Sequence, residues 1–313
     1  MEYSYKFRIC PTAAQADRIQ QTFGCCRFVW NHYLALRKDL YEQDGKTMNY
    51  NACSGDMTQL KNSMSWLREV DATALQSSLR DLDTAYQNFF RRVKQGQKPG
   101  YPKFKSKHNR RRSYKSKCVG TNIKVLDKAV QLPKLGLVKC RISKAVKGRI
   151  LSATISQNPS GKYFVALCCT DVEMAPLPST GAVVGIDMGL KAFAITSDGV
   201  KYPNHKHLTK SQKKLAKLQR QMSRKSKGSN RWEKARLRVA RLHEHTTNQR
   251  HDILHKLSTN LVRNYDLIAI EDLAPRTWSK TTSWQSLSSM LPGASFGGSW
   301  SIRQRGTGNR LSQ

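Results

Sequence analysis

Two carboxylates stand at the ends of two strand-like apolar segments in the second half of the chain. Asp187 ends the segment Ala-Val-Val-Gly-Ile-Asp, and Glu271 ends the segment Asp-Leu-Ile-Ala-Ile-Glu. Mg²⁺ prefers hard oxygen ligands, and carboxylates hold the ions that cleave phosphodiesters in two-metal sites. Asp187 and Glu271 are therefore the candidate catalytic and metal-binding residues, with Mg²⁺ as the expected ion. The alternative is that both are strand-end acids with no chemical role.

The elements between these two residues predict how the carboxylates would meet. The pattern predicts strands over residues 182–187, 192–196 and 266–271, a hairpin turn over 197–199, and helices over 209–222 and 231–264. A strand, helix, strand crossover places its two strands parallel. Because parallel neighbours end at the same edge of a sheet, we expect Asp187 and Glu271 to lie close together.

The charge of the chain predicts a polyanionic partner. The 313 residues carry 55 Lys and Arg against 21 Asp and Glu, a formal net charge of +34, with a sequence pI near 10.2. Nucleic acid is the first candidate and a membrane surface is the alternative. The sequence shows no run of 18 apolar residues and no signal peptide, so we expect no membrane partner and a cytoplasmic location.

Two basic segments are candidate nucleic-acid contacts. In the first, Pro and Gly interrupt a basic run in which Tyr101, Phe104 and Tyr114 are interleaved, a pattern that suits a groove for a phosphate backbone with bases stacked on the rings. The second covers a predicted helix and the loop after it. The candidate residues are Lys103, Lys105, Lys107, Arg110, Arg111, Arg112, Lys213, Lys217, Arg220 and Arg224. The alternative for both segments is a solvated basic surface.

The first half of the chain predicts a mixture of strands and helices. We expect a strand over residues 3–9, a capping box at Thr12 and Gln15, one helix to about Phe23 and a second after Gly24. A further helix runs from Asp71 to Gly96. Several antiparallel strands between 121 and 170 could close a small barrel with the first strand, and a Pro-rich linker covers 175–181.

The cysteines and histidines offer weaker signals. None of the eight cysteines forms a C-x-x-C pair, so we expect buried free thiols and no zinc site. His251 and His255 have the i, i+4 spacing of metal ligands on the last helix. No Glu lies between them in an H-E-x-x-H motif, so solvated or stacked histidines are favoured.

Several segments together resemble the OrfB/TnpB proteins of bacterial insertion sequences, which are relatives of type V CRISPR effectors. The resemblance covers about residues 3–280. It is carried by Tyr5-Lys6-Phe7-Arg8, Phe23-Gly24-Cys25-Cys26-Arg27-Phe28-Val29-Trp30-Asn31, Gly100-Tyr101-Pro102-Lys103-Phe104-Lys105, Gly185-Ile186-Asp187-Met188-Gly189-Leu190-Lys191, Asn248-Gln249-Arg250 and Ile270-Glu271-Asp272-Leu273.

The resemblance implies a fold of the α+β and α/β classes. It implies an N-terminal nucleic-acid-binding lobe, a β-barrel with inserted helices over residues 1–174, and a RuvC-like nuclease domain of RNase H fold over 182–280. The expected partners are a guide RNA from the protein's own locus and double-stranded target DNA, with Arg250 among the contacts. Asp187 and Glu271 match the first two catalytic carboxylates of the family.

The resemblance also exposes what this sequence lacks. The family carries a zinc ribbon and a third catalytic Asp near its C-terminus, whereas residues 273–313 contain no Asp, Glu or Cys. We expect residues 281–313 to be an unstructured tail that arose by a frameshift near Lys280, which leaves the nuclease domain incomplete. The alternatives to an impaired nuclease are a repressor-like RNA- and DNA-binding protein and a nonfunctional relic. A transposase that performs strand transfer itself is disfavoured.

Overall fold

The computed structural model describes residues 1–109, 111–173, 175–189, 192–204 and 207–270, without the side chains of 207–210. The chain divides into two compact units, residues 1–173 and 174–313. Glu271, Arg110 and the predicted tail over 281–313 lie outside the described residues.

The first unit combines one sheet with three long helices. Its elements are β1 (Tyr3–Cys10), α1 (Ala13–Asp44), α2 (Tyr50–Ser63), α3 (Ala72–Lys94), β2 (Arg112–Lys117), β3 (Lys124–Leu126), β4 (Ala129–Leu132), β5 (Gly136–Arg141), β6 (Arg149–Gln157) and β7 (Tyr163–Thr170). The strand order is β2-β6-β7-β1-β5-β4-β3, and the pairs are antiparallel. The predicted mixture of strands and helices is confirmed. Within the described residues the sheet stays open between β2 and β3, so the predicted closed barrel is not confirmed.

The core of this unit follows from alternation along the strands. Tyr5, Phe7 and Ile9 of β1 are buried while the residues between them face outwards. Val165 and Leu167 of the neighbouring β7 are also buried, and the helices pack against the same core. Burial of this apolar surface stabilises the unit.

Helix α1 is continuous, so the prediction that it ends near Phe23 and restarts after Gly24 is wrong. The capping box that begins the helix is confirmed, because the Thr12 amide donates to Gln15 Oε1 at 3.0 Å and the Gln15 amide donates to Thr12 Oγ1 at 3.3 Å. One buried stripe runs from Ile19 through Phe23 to Trp30 and Tyr33. Packing of that stripe outweighs the cost of a glycine within a helix.

Two elements of the first unit escaped sequence prediction. Helix α2 buries only Cys53 and Met57, so its apolar pattern is too sparse to predict a helix. Strand β2 begins where the sequence predicts a basic loop. It turns Tyr114 and Ser116 inwards, and the Ser116 hydroxyl donates to Asp71, the N-cap residue of α3.

The second unit contains a small sheet and two helices. Its elements are β8 (Val183–Asp187), β9 (Ala192–Thr196), β10 (Lys201–Pro203), α4 (His207–Ser223), α5 (Asn230–Asn264) and β11 (Leu267–Ile270). The strand order is β10-β9-β8-β11, and β11 pairs with β8 in parallel, as predicted. Val184, Ile186 and Ile268 form a core with Leu257 and Leu261 of α5.

Asp266 ties the beginnings of the two parallel strands together. Its carboxylate accepts hydrogen bonds from the Thr180 amide at 3.0 Å, the Gly181 amide at 2.8 Å and the Ser179 hydroxyl. The Asp266 amide donates in turn to the Ala182 carbonyl at 2.9 Å. These hydrogen bonds lower the pKa of the Asp266 carboxyl to about 2, the Ser179 hydroxyl contributing most.

All eight cysteines are free, and five of them are buried, which confirms the prediction of buried thiols. Burial raises the pKa of the Cys25 thiol to about 11, so this thiol stays protonated at neutral pH. Across the described ranges, no helix combines the length and the apolar character needed to cross a bilayer.

Replacement of Gly24 by Ala is expected to stabilise the first unit. Gly24 lies inside α1, and a Cβ added there would meet no neighbouring atom within 4 Å. Because alanine reduces the backbone freedom of the unfolded chain, we expect the free energy of unfolding to rise by about 0.5–1 kcal/mol. Gly45→Ala is the matched control, because Gly45 has equal space but a φ of +65°. We expect Gly45→Ala to destabilise by about 1 kcal/mol. Urea unfolding measures both, and equal effects would contradict the prediction.

Replacement of Asp266 by Asn is expected to destabilise the second unit in a pH-dependent way. Because folding lowers the pKa of Asp266 to about 2, its contribution is complete above the ordinary Asp pKa of about 3.9 and is lost as the pH falls towards 2. The difference in unfolding midpoint between wild type and Asp266→Asn should therefore shrink below about pH 4. An NMR titration that gave Asp266 an ordinary pKa would contradict this.

Candidate metal site and nucleic-acid surfaces

The parallel pair β8 and β11 brings the two predicted catalytic segments side by side. Val183 pairs with Leu267, and the register continues to Ile186 opposite Ile270. Both strands therefore run in the same direction, and their C-terminal ends lie at the same edge of the sheet. This is the arrangement that the crossover in the sequence predicts.

Asp187 is the last residue of β8 and its side chain is exposed. Val184 and Ile186 face the core, so alternation turns Asp187 to the opposite face of the sheet. On its other side, Asp187 pairs with Ile195 of β9. An exposed carboxylate at a strand end is a hard oxygen donor that fits Mg²⁺.

The second predicted ligand cannot be placed. Glu271 follows Ile270 directly in the sequence and lies outside the described residues, so its distance from Asp187 stays a prediction. Among the residues that are described, no group of three or more His, Cys, Asp or Glu is arranged to hold a metal ion. The rings of His251 and His255 stack at 6.1 Å on α5, in line with the prediction of stacked histidines.

Helix α4 presents the predicted basic track on one face. Lys213, Lys217, Arg220 and Arg224 are exposed, and their spacing of four, three and four residues places them along one side of the helix and its continuation. These four residues line a shallow groove. Arg250 lies instead on α5, half-buried, and burial lowers the pKa of its guanidinium.

The basic segment over residues 98–109, hereafter the strap, is held against α1. Trp30 Nε1 donates to the Lys103 carbonyl at 3.0 Å, and the side chain of Asn31 makes two hydrogen bonds to the Lys105 backbone, at 3.0 and 2.8 Å. The Lys105 ammonium lies 3.6 Å from the centre of the Trp30 ring, a cation–π contact. The strap is therefore docked on α1 at defined points. The predicted contact of this segment with nucleic acid stays a prediction.

Two of the residues predicted to contact nucleic acid, Lys105 and Arg112, interact with other residues of the protein. Burial lowers the pKa of Lys105 and raises that of Asp81, and the two opposite charges partly offset these shifts. The Arg112 guanidinium donates to the Gln20 side chain at 2.6 Å and to the carbonyls of Asn109 and Lys107. Lys103, Lys107 and Arg111 are exposed, and so is much of Lys105. A nucleic-acid role for all of these residues stays a prediction.

Tyr114 is not available for base stacking, so that part of the sequence prediction is wrong. Its side chain is buried and meets the Phe23 ring edge to face at 5.6 Å. Burial accordingly raises the pKa of the Tyr114 hydroxyl. The neighbouring residues of β2 alternate outwards, and Lys115 is among the residues that line a cavity of about 180 Å³.

That cavity collects charged residues from four segments. Arg27 of α1, Asp81 of α3, Lys105 and Lys115 line it together with Arg111. Sequence reasoning missed Arg27 and Lys115, because one lies within an apolar helix and the other in a strand that was not predicted. A period of two over Arg112–Lys117, with Lys at alternate positions, is the signal that could have found Lys115.

Two models of the same protein family match this chain, one in its first part and one in its second. The family model for IS605 OrfB, described as "Probable transposase", matches residues 166–281. A model described as "Helix-turn-helix domain" of the same family matches residues 1–46, which here form β1 and the single helix α1.

Two curated relatives carry the name "Putative RNA-guided DNA endonuclease". One, InsQ of Escherichia coli K12, is 34% identical over 283 residues, which are 90% of this chain and 68% of the relative. The other, from Streptomyces pristinaespiralis, is 36% identical over 303 residues, 92% of this chain and 73% of the relative. A solved complex of Cas12f1 with guide RNA and target DNA aligns at 12% identity with a TM-score of 0.31, covering 100% of this chain and 84% of that one.

The structural alignment is too weak to establish a shared fold, whereas the sequence matches extend over nearly the whole chain. They include both the strand that ends in Asp187 and the segment that contains Glu271. This chain therefore belongs to the OrfB/TnpB family of insertion-sequence proteins, the IS605 OrfB family.

Proposed function

We propose that this protein is an RNA-guided DNA endonuclease of the OrfB/TnpB type in which Asp187 and Glu271 are the metal-binding catalytic residues. The observation that carries the proposal is the parallel pairing of β8 with β11, which ends one residue before Glu271. The names of the curated relatives support the reaction and the two partners, a guide RNA and DNA. We propose that the DNA is double-stranded, as the family resemblance implies. Mg²⁺ is the proposed ion, because the donors are carboxylate oxygens.

The proposed chemistry is phosphodiester hydrolysis. When bound, divalent ions would supply an activated water and stabilise the leaving oxygen. Asp187 contributes a negative oxygen donor at a strand end, where the paired backbones of β8, β9 and β11 fix its position. Sequence selection would be delegated to base pairing with the guide, while the protein holds the nucleic acid through its phosphates.

We also propose that cleavage by residues 1–313 is impaired when no other segment supplies a third carboxylate. Residues 273–313 supply no Asp or Glu, so the third carboxylate that the family resemblance implies has no candidate there. Misplacement of a reacting group by about 1 Å can cost about 10²-fold in rate. The same observation favours a second candidate function, an RNA- and DNA-binding protein that does not cut, and this candidate shares every partner with the first.

Cleavage by the purified complex tests the catalytic assignment. The protein is purified with RNA from its own locus and incubated with a guide-matched duplex and Mg²⁺. We expect slow cleavage that Asp187→Asn abolishes, because the amide cannot replace a charged metal ligand. Asp198→Asn is the matched control, since Asp198 is an exposed acid in the turn after β9. Cleavage that survives Asp187→Asn would refute the assignment.

Binding of the ion gives a readout that does not depend on activity. Asp187→Asn should weaken binding of Mn²⁺, followed by electron paramagnetic resonance, and Asp198→Asn should not. A stable complex with RNA and DNA that binds Mn²⁺ without cutting would favour the second candidate function. Aggregation of the wild-type chain would favour a nonfunctional relic.

The α4 track is expected to bind phosphates through charge alone. Each phosphate that the protein neutralises on duplex DNA adds about 0.9 to the magnitude of the negative slope of log K against log salt. The triple variant Lys213→Gln, Lys217→Gln, Arg220→Gln should therefore reduce that magnitude by about 2–3. The matched control neutralises Lys38, Lys46 and Lys256, which are also exposed but pair with Glu42, Asp44 and Asp252. Equal changes in the two triple variants, measured by fluorescence anisotropy, would mean that α4 is an ordinary solvated surface.

A further inference from the structure

Four aromatic rings from two segments meet at the C-terminal end of α3. Tyr86, Phe89 and Phe90 come from the helix, and Tyr101 comes from the strap. The Phe89 ring centre lies 5.3 Å from that of Tyr101 and 5.2 Å from that of Phe90, and Tyr86 lies 5.7 Å from Tyr101. These four residues are called the aromatic cluster. The contacts are mostly edge to face, an arrangement that stabilises ring pairs.

The inner part of the aromatic cluster is held in place by buried interactions. Tyr86 is buried, and its hydroxyl lies 3.1 Å from that of Tyr101. The guanidinium of the buried Arg37 lies 3.9 Å from the centre of the Tyr86 ring and 3.4 Å from the carboxylate of Asp83. Arg37 therefore holds Tyr86 in place, and Tyr86 in turn holds Tyr101. Neither contact requires a bound ligand.

The outer part of the aromatic cluster faces water. Phe90 is 50% exposed and Tyr101 is 44% exposed, although each packs against an inner ring. Val93, one helical turn beyond Phe90, is also half exposed. Both exposed rings contact the inner rings of Tyr86 and Phe89. Exposed rings supported in this way are a feature that proteins use to stack bases or to bind an apolar partner.

The charge around the aromatic cluster decides between these two partners. Residues 84–126 contain many Lys and Arg and no Asp or Glu. Arg91, Arg92, Lys94 and Lys98 are exposed beside the rings in the sequence, and the Arg92 side chain lies against Gly100 of the strap. An apolar protein partner gains nothing from such a surface, whereas a strand of nucleic acid offers phosphates for the cations and base faces for the rings.

We propose that the aromatic cluster is a stacking platform for unpaired bases of a bound RNA strand. This inference rests on the proposed function, which requires RNA to be held by the protein. A duplex hides its base faces, so the platform takes a single-stranded part of the RNA. Phe90 and Tyr101 receive the bases, while Tyr86 and Arg37 are positioning residues that hold Tyr101.

The test is binding of a short oligouridine that contains a single 2-aminopurine, whose fluorescence falls when the base stacks on an aromatic ring. We expect Phe90→Ala and Tyr101→Ala in the full chain each to weaken binding by about tenfold and to abolish the fluorescence change. The dependence of log K on log salt should stay as in wild type for both variants, since neither removes a charge. Arg91→Gln should do the opposite, lowering the salt slope and keeping the fluorescence change.

Conservative variants separate stacking from structural support. Phe90→Tyr keeps its ring and should bind like wild type. Tyr101→Phe also keeps its ring and should keep the fluorescence change, but it loses the hydroxyl contact with Tyr86 and should therefore bind slightly more weakly than wild type. Tyr41→Ala is the matched control, because Tyr41 is 67% exposed on α1 with Glu42 and Asp44 nearby in the sequence. It should leave binding unchanged.

Three results would overturn the platform. One is wild-type binding by Phe90→Ala and Tyr101→Ala while the RNA from the locus is still retained, which leaves the proposed function intact. Another is an equal loss of affinity for a blunt RNA duplex, which would assign the rings a structural role. The third is a wild-type chain that binds no RNA at all, which would refute the proposed function together with the platform.

Discussion

The parallel pairing of β8 with β11 is the interaction on which the candidate metal site depends. It joins two strands that are separated in the sequence by the 79 residues between Asp187 and Leu267, so the pairing is not a local contact. Its stability comes from burial of Val184, Ile186 and Ile268 against α5, and from the hydrogen bonds of Asp266 at the start of both strands. Because side chains alternate along a strand, the burial of Ile186 places Asp187 on the face of the sheet opposite the core.

Asp266 and Asp187 are two acids of the same strand pair that lie in different surroundings. Backbone amides and hydroxyls donate hydrogen bonds to the Asp266 carboxylate and stabilise its negative charge within the protein. Asp187 ends its strand exposed, at the edge where the second strand also ends. An acid with a full set of protein donors supports structure, whereas an exposed acid at a shared strand edge is free to bind a cation.

The basic residues fall into two groups: some make contacts within the protein, and others face solvent. Arg37, Lys105 and Arg112 contact rings, carboxylates or carbonyls of the first unit. The cations along α4 face solvent, as do Lys103 and Lys107 of the strap. Repulsion among these outward cations opposes compact folding, and a bound polyanion would relieve it. The charge of the chain thus favours nucleic acid as a partner, while packing decides which cations remain to contact it.

Much of this protein follows from its sequence, where the pattern is local. Alternation along residues 3–9, the capping box at Thr12 and the long amphipathic repeat of α5 each depend on neighbours within a few residues, and all are present in the structure. The positions of Asp187 and Glu271 at the ends of two apolar segments, together with the family resemblance, also came from the sequence. The continuity of α1 through Gly24, the burial of Tyr114 in an unpredicted strand and the docking of the strap on Trp30 did not. They depend on residues that are distant in the sequence. Packing of a buried stripe can outweigh the low helix propensity of one glycine, and the Ser116 hydroxyl can be buried because Asp71 accepts its hydrogen bond.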